Sequence, residues 1–331
     1  MLKIAVIGAG RIGRIHARNI AAHSGTQLFG ICDSHRASAL ELAQATASPV
    51  LTLEQAMAAD AVLIASPTPT HAELIEQAAR AGRAIFCEKP IDLDAARVRA
   101  CLAVVREAGV ALMVGFNRRF DPSFAALHRR LASGEVGSLE LLTIISRDPA
   151  PPPASYVAAS GGLFRDMMIH DLDLARYLLD EEPVELFAAA SCLVDPALGE
   201  AGDFDTASVT LKTASGRIAQ ISNSRRAAYG YDQRIEAHGA AGLLRAGNMT
   251  ATTVELANGR GFTTDPALPF FLERYEAAYR AELDAFVDAV ASGSAPAPSG
   301  EDGLAALLLA DAATHSACHG EVVRLELPKA V

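Results

Sequence analysis

Short apolar runs alternate with amphipathic stretches through the first third of the chain. Residues 3–7, 27–32, 61–65, 84–87 and 110–114 are short, predominantly apolar runs of strand length. Runs of that kind read as strands buried on both faces. The stretches between them, 11–23, 36–47, 53–59, 71–81 and 93–108, carry helical spacing, and Gly82 and Gly109 stop the last two. Residues 49–51 add one brief extended piece. Strands alternating with helices predict an α/β fold with a doubly wound parallel sheet. Right-handed crossovers then gather the loops that follow the strands on one rim, where open sheets bind ligands.

The pattern changes near Asn117. A helix over 121–133, a strand over 139–146 and a helix over 163–179 lead into β-type segments near 184–195, 204–213, 216–226, 231–238, 242–246 and 251–257. Their hairpin-like spacing predicts an α+β domain with a large, mainly antiparallel open sheet. Two helices, 271–291 and 301–318, follow, separated by SGSAPAPSG. The expected division is residues 1–118 and 119–331, consistent with a length that favours two domains.

Candidate chemistry collects on the rim. The first strand breaks at Gly8-Ala9-Gly10-Arg11-Ile12-Gly13 and runs straight into a helix. In a dinucleotide site Gly8 permits the tight turn, Gly10 admits the pyrophosphate and Gly13 lets helix and strand pack. The phosphates then lie on free N–H groups at the positive end of the helix dipole. Asp33 ends the second run at the spacing of about 20 residues that such a site needs for its ribose carboxylate. A carboxylate there accepts from both ribose hydroxyls and repels a 2′-phosphate, so NAD is expected over NADP, with Arg36 read as a helix-surface residue. Glu88-Lys89-Pro90 closes another strand on this rim. Lys89 is there either a solvated strand-end charge or a donor able to stabilise developing alkoxide charge. Asp166 and His170 are four apart in a predicted helix, which reads as a salt bridge or as a base with its orienting carboxylate. Asp171 and Asp173 are expected at the surface or in structural roles.

Composition narrows the partners. A net charge of −10 argues against nucleic acid and anionic membranes, and no apolar run approaches the ~20 residues of a membrane span. The N-terminal strand leaves no room for a signal peptide, so the chain reads as cytoplasmic. The five cysteines are scattered without metal-type pairing, and no metal is expected.

GAGRIGRIHA, SPTPTH, CEKPI, GFNRRFDPSF, SGGLFRDMMIHDLDLARYL and SRRAAYGYDQRIE together resemble the glucose–fructose oxidoreductase / inositol dehydrogenase family over essentially the whole chain. The resemblance implies a Rossmann domain binding NAD and hydride transfer from a ring hydroxyl of a cyclitol such as myo-inositol. It implies that Lys89 hydrogen-bonds that hydroxyl, His170 takes its proton and Asp166 holds His170. It also implies a cis Lys89–Pro90 bond. Ser66, Pro67, Thr68, His71 and Glu88 would lie along the cofactor, with Asn117 and Arg118 near the nicotinamide. Tyr229 or Tyr231 matches a substrate-side tyrosine, and Met167 replaces a polar substrate contact of some relatives. Dimers or tetramers joined through the second domain's sheet are implied as well. The alternatives are an aldose dehydrogenase of the same family, a non-catalytic NAD-binding regulator and a nucleotide-dependent methyltransferase. The last would leave Glu88-Lys89-Pro90 unexplained.

Overall fold

A computed structural model describes residues 1–328. Five parallel strands form the first sheet: β1 (Leu2–Ile7), β2 (Thr26–Cys32), β3 (Ala61–Ile64), β4 (Ala84–Glu88) and β5 (Leu112–Gly115), in the order β2-β1-β3-β4-β5. Ile4 to Ile7 and all of β3 are buried, as expected of a parallel sheet covered on both faces. The extended piece at 49–51 is not a full strand. It bridges Val50 to Ile31 in parallel beside β2, through Ile31 N–H to Pro49 O at 2.9 Å and Leu51 N–H to Ile31 O at 2.8 Å. Counting that piece, the order is the 3-2-1-4-5-6 of the Rossmann fold, with its switch point between β1 and β3.

The first compact unit comprises Met1–Asn117 and Ala278–Leu307; the second comprises Arg118–Ala277 and Leu308–Leu327. Residues 278–307, expected with the second half, therefore join the first unit. There Pro298 O accepts the Val114 N–H at 2.9 Å, and Phe286 meets Phe86 edge-on at 5.7 Å.

The second unit carries a seven-stranded sheet. Its strands are β6 (Leu139–Arg147), β7 (Pro183–Ser191), β8 (Thr206–Thr213), β9 (Ile218–Ser224), β10 (Asp232–Gly239) and β11 (Gly242–Ala246), closed by the short β14 (Val323–Arg324). The order is β11-β10-β6-β9-β8-β7-β14, and every pair is antiparallel except β6 with β9. A separate exposed hairpin joins β12 (Glu255–Asn258) and β13 (Gly261–Thr264). The helix Ile169–Leu179 packs on β6 and β9. The register puts Leu141, Phe187, Ile218 and Leu243 on one face of the sheet, and all four are exposed.

Two expected helices are broken. The stretch 163–179 opens with a π-turn, Phe164–Met168, before Ile169–Leu179. The stretch 271–291 divides into Phe271–Arg274 and Glu276–Ser292 around Tyr275. Tyr275 is buried with its hydroxyl donating to Gln233 Oε1 at 3.0 Å, so a long-range polar contact overrides the local helical pattern. No helix among the described residues is long and apolar enough to cross a membrane.

Candidate active site

The glycine turn is built by steric necessity. Gly8 has φ +107°, and a Cβ there would lie 2.5 Å from the Ala65 carbonyl at the end of β3. A Cβ on Gly13 would stand 1.8 Å from Gly8 O, so only glycine lets the helix Arg11–Ala22 start so close to β1. Gly10 differs: its φ is −71° and a Cβ would meet nothing within 4 Å. It caps the helix without a side-chain acceptor, and the first-turn N–H groups of a helix have no partner within it, which suits a pyrophosphate.

Asp33 reaches into the same turn. Its Oδ2 accepts the Ala9 N–H at 2.6 Å and its Oδ1 accepts the His35 N–H at 2.7 Å. A carboxylate has about four lone-pair sites, so each oxygen keeps capacity for a ribose hydroxyl. Arg36 is exposed at the start of its helix, as expected. The chain's own residues thus fit a dinucleotide.

Along the rim, Ser66 and Thr70 hydroxyls hydrogen-bond at 2.6 Å across the turn Thr68–Thr70. His71 is buried, its ring bridging Ser66 O and Pro90 O at 2.7 Å each. It ties the turn after β3, with Pro67 and Thr68, to the turn after β4. The Lys89–Pro90 peptide is cis, as the resemblance implied. Glu88 Oε1 accepts from His16 Nε2 at 2.6 Å, a contact with no signature in local sequence spacing. Asn117 is buried just beyond β5.

In the second unit Gly162, with φ +81°, has no room for a Cβ because Asp203 Oδ1 lies 2.5 Å from that position. Asp203 also accepts the Leu163 N–H at 2.9 Å, anchoring the entry to the π-turn. Asp166 lies within that turn and Met167 beside it is buried; His170 is in the first turn of the following helix. π-turns commonly mark functional positions in helices. Arg225, buried at the end of β9, donates to Asp166 Oδ2 and Asp148 Oδ2 at 3.1 Å each. Burial works against the Arg225 charge, but the two carboxylates outweigh it and hold its pKa above the ordinary value. Burial pushes the Asp148 carboxyl up, with Arg225 pulling it back only partly.

Asp171 and Asp173 are buried, which leaves the structural of their two expected roles. Arg118 Nη1 donates to Asp171 Oδ1 at 2.5 Å, Asn223 donates to its Oδ2 at 2.9 Å, and Arg119 Nε donates to Asp173 at 2.8 Å. Arg118, expected near the nicotinamide, is thus engaged within its own unit, beneath which Tyr275 presents its ring at 5.7 Å. Tyr231 is buried among Phe270 and Tyr275, whereas the Tyr229 ring is half exposed with its hydroxyl donating to Asp232 at 2.6 Å.

Asp148 and Arg225 were missed by residue reasoning. The only sign of them was the string SRRAAYGYDQR, which contains Arg225 but does not announce its partners.

A glycine turn at a Rossmann switch point, with an acidic residue on the ribose side, defines a dinucleotide-binding protein of the NAD type. Residues 2–116 match the family model "Oxidoreductase family, NAD-binding Rossmann fold", and residues 124–245 match "GFO/IDH/MocA C-terminal domain". The chain belongs to the GFO/IDH/MocA oxidoreductase family. It is 53% identical to the inositol 2-dehydrogenase of Rhizobium meliloti strain 1021, over 95% of this chain and 96% of that protein. It is similar to the crystal structure of a myo-inositol dehydrogenase from Corynebacterium glutamicum, with TM-score 0.95 and 46% identity over 99% of this chain and all (100%) of the other. A scyllo-inositol dehydrogenase from Lactobacillus casei, solved with NAD(H) and scyllo-inositol, aligns with TM-score 0.91 and 30% identity over 98% and 99% of the two chains.

Proposed function

We propose that the protein oxidises a ring hydroxyl of a cyclitol, myo-inositol to 2-keto-myo-inositol, with Lys89, Asp166 and His170 as its acid–base set. The observation that carries this reading is the 53% identity, over nearly the full length of both chains, to an inositol 2-dehydrogenase. Gly8, Gly10 and Gly13 with the open N–H groups at the helix start hold the pyrophosphate, and Asp33 takes the ribose. When bound, NAD supplies the acceptor for the hydride that leaves the ring carbon.

Lys89 donates a hydrogen bond to the reacting oxygen and stabilises its developing charge. His170 accepts the hydroxyl proton, and a carboxylate beside an imidazole selects its tautomer and favours its protonated form. Arg225, clamped between Asp148 and Asp166, fixes the orientation of Asp166. Met167 and Tyr229 stand on the substrate side, Tyr229 rather than Tyr231 because it alone of the two is exposed. The exposed face bearing Leu141, Phe187, Ile218 and Leu243 supports assembly of two or four copies through the sheet, which light scattering would read.

NAD-reduction assays with myo-inositol, scyllo-inositol and glucose test the substrate. myo-Inositol is expected to give the highest kcat/KM. A scyllo-inositol preference would shift the reading to the activity named for the Lactobacillus casei neighbour, and a glucose preference would move it to the aldose alternative.

A further inference from the structure

Behind the Glu88-Lys89-Pro90 turn the first unit encloses three ionisable side chains. His16, on the helix that starts at the glycine turn, is fully buried, and so is Glu282 on the helix Glu276–Ser292. His16 Nε2 is 2.6 Å from Glu88 Oε1 and 4.0 Å from Glu282 Oε1. The ring is walled by Phe86 at 5.2 Å and Tyr279 at 5.6 Å, both edge-on. On the β5 side Gly115 leaves room for the Glu88 carboxylate, since a Cβ there would stand 3.0 Å from Oε2. Neither Glu282 oxygen has a hydrogen-bond partner. An ionised carboxylate so placed is prohibitively unfavourable.

The same atoms lie within 4.8 Å of one another, a spacing that invites a metal ion. The 2.6 Å between His16 and Glu88 argues otherwise. Two donors each ~2.0–2.2 Å from a tetrahedral zinc stand roughly 3.3–3.5 Å apart. The pair is closed by a proton.

We propose that His16 is a positioning residue that holds the Glu88 carboxylate, and with it the strand end carrying Lys89, in one orientation towards the cofactor, with Glu282 shut in behind the pair. The proposal rests on the reading that places Glu88 and Lys89 in the cofactor and substrate site. Burial, reinforced by the nearby Glu88 charge, holds the Glu282 carboxyl well above the usual range. His16 has Glu88 as its hydrogen-bond partner, at 2.6 Å. It also joins the helix under the pyrophosphate site to the strand that ends in Glu88, one residue before Lys89.

His16→Leu removes the proton link while keeping an apolar filling. It should lower kcat at least about tenfold and weaken NADH binding about fivefold, with KM for the polyol within about twofold. His16→Gln, whose amide nitrogen falls near the imidazole Nε2, should recover kcat to within about threefold of wild type. Glu282→Gln should raise the melting midpoint by at least about 2 °C at pH 8, and the gain should fade towards pH 4. The sign follows because a raised native pKa makes the wild type lose stability as pH climbs above the unfolded value near 4.3. A folded His16→Leu with wild-type kcat and NADH affinity would overturn the proposal, as would a Glu282→Gln midpoint below wild type at pH 8. Should His16→Leu not fold, His16→Gln decides, and kcat under about a tenth of wild type sinks the idea. One equivalent of zinc retained by wild type after dialysis and lost in Glu282→Gln would also sink it. NADH affinity does not depend on the polyol, so a wild type that binds NADH but oxidises no inositol ends the proposed reaction while this one is still decided.

Discussion

The glycine turn of the first unit and the charged cluster around Asp166 in the second are built in opposite ways. The turn is made of backbone: Gly8 and Gly13 are where they are because any Cβ would strike Ala65 or Gly8 itself. Its residues are contiguous, so local sequence order contains the whole device. The cluster is made of side chains drawn from the end of β6 and beyond (Asp148), the π-turn (Asp166) and the end of β9 (Arg225). Binding a pyrophosphate needs only N–H groups and space. Moving a proton needs specific side chains held against their burial cost, and those are recruited from distant sequence.

The largest test of this contrast is catalytic. Lys89→Ala and His170→Ala should each lower turnover by on the order of 10²–10⁴ while NAD affinity changes little. Steady-state kinetics beside NADH fluorescence titration would show it, and near-normal turnover in either variant removes that residue from the acid–base set.

Next is Arg225→Met, which leaves Asp148 and Asp166 without their shared cation. Removing one partner from a buried ionic group costs about 3–5 kcal/mol. Its pH dependence has a definite sign. Asp148 already has a raised native pKa, so the folded state binds more protons than the unfolded one above the unfolded carboxylate range. Loss of Arg225 raises that pKa further, so urea midpoints should fall most relative to wild type at neutral pH and converge as pH drops. A deficit that grows towards acid would contradict the clamp.

Gly13→Ala probes the backbone device in the same currency. With a Cβ position 1.8 Å from Gly8 O, the helix must move off the strand, at about 3 kcal/mol by analogy with overpacked cores. Thermal melting of the cofactor-free protein measures it, and an unchanged midpoint would mean the turn relaxes freely.

These two sites also mark how far the sequence could be read. The strands of the first sheet, the open second sheet and the structural roles of Gly8 and Gly13 were legible because each rests on a local pattern: an apolar run, a hairpin spacing, a missing Cβ. Asp171 and Asp173 could be surface or structural residues by sequence, because a helical pattern reveals spacing but not the Arg118 and Arg119 that come from elsewhere to meet them. The π-turn was hidden for a related reason. It changes the helix by one residue per turn without changing composition, and Asp203, which anchors its start, lies far along the chain. His16 read as part of the motif GAGRIGRIHA, and only packing shows that it meets Glu88 and Glu282.

Asp205 breaks the contrast from the other side, since it is a side chain of the second unit held by backbone. It is fully buried and accepts N–H groups from Leu193, Val194 and Asp195 at 2.8, 2.7 and 3.0 Å. Burial alone would raise its pKa, but the three donors overcome it and hold the carboxyl down to about 2. A depressed native pKa gives stability that is complete above the unfolded value and disappears as pH falls through about 2. Asp205→Asn should therefore cost about 2 kcal/mol at pH 7, and the difference should narrow below pH 4 in urea titrations. An equal deficit at both pH values would assign the loss to packing.

The smallest effects separate what the turn does for the fold from what it does for the ligand. Gly10→Ala places a methyl where nothing stands within 4 Å, at an ordinary φ of −71°. The stability of the cofactor-free protein should stay within about 0.5 kcal/mol of wild type, while NADH affinity falls about tenfold, or ~1.4 kcal/mol, because the methyl fills the pyrophosphate's space. Asp33→Ala acts on the same bound molecule one contact further on. It removes the acceptor for the ribose hydroxyls and the charge that repels a 2′-phosphate, so the NAD-over-NADP ratio in kcat/KM should drop by about tenfold. Its Ala9 and His35 N–H groups lose their acceptor as well, and the two effects can be told apart. A loosened turn weakens NAD and NADP alike, whereas loss of the ribose contact weakens NAD alone. A wild type that already prefers NADP would hand the ribose site to Arg36, the exposed guanidinium three residues beyond Asp33.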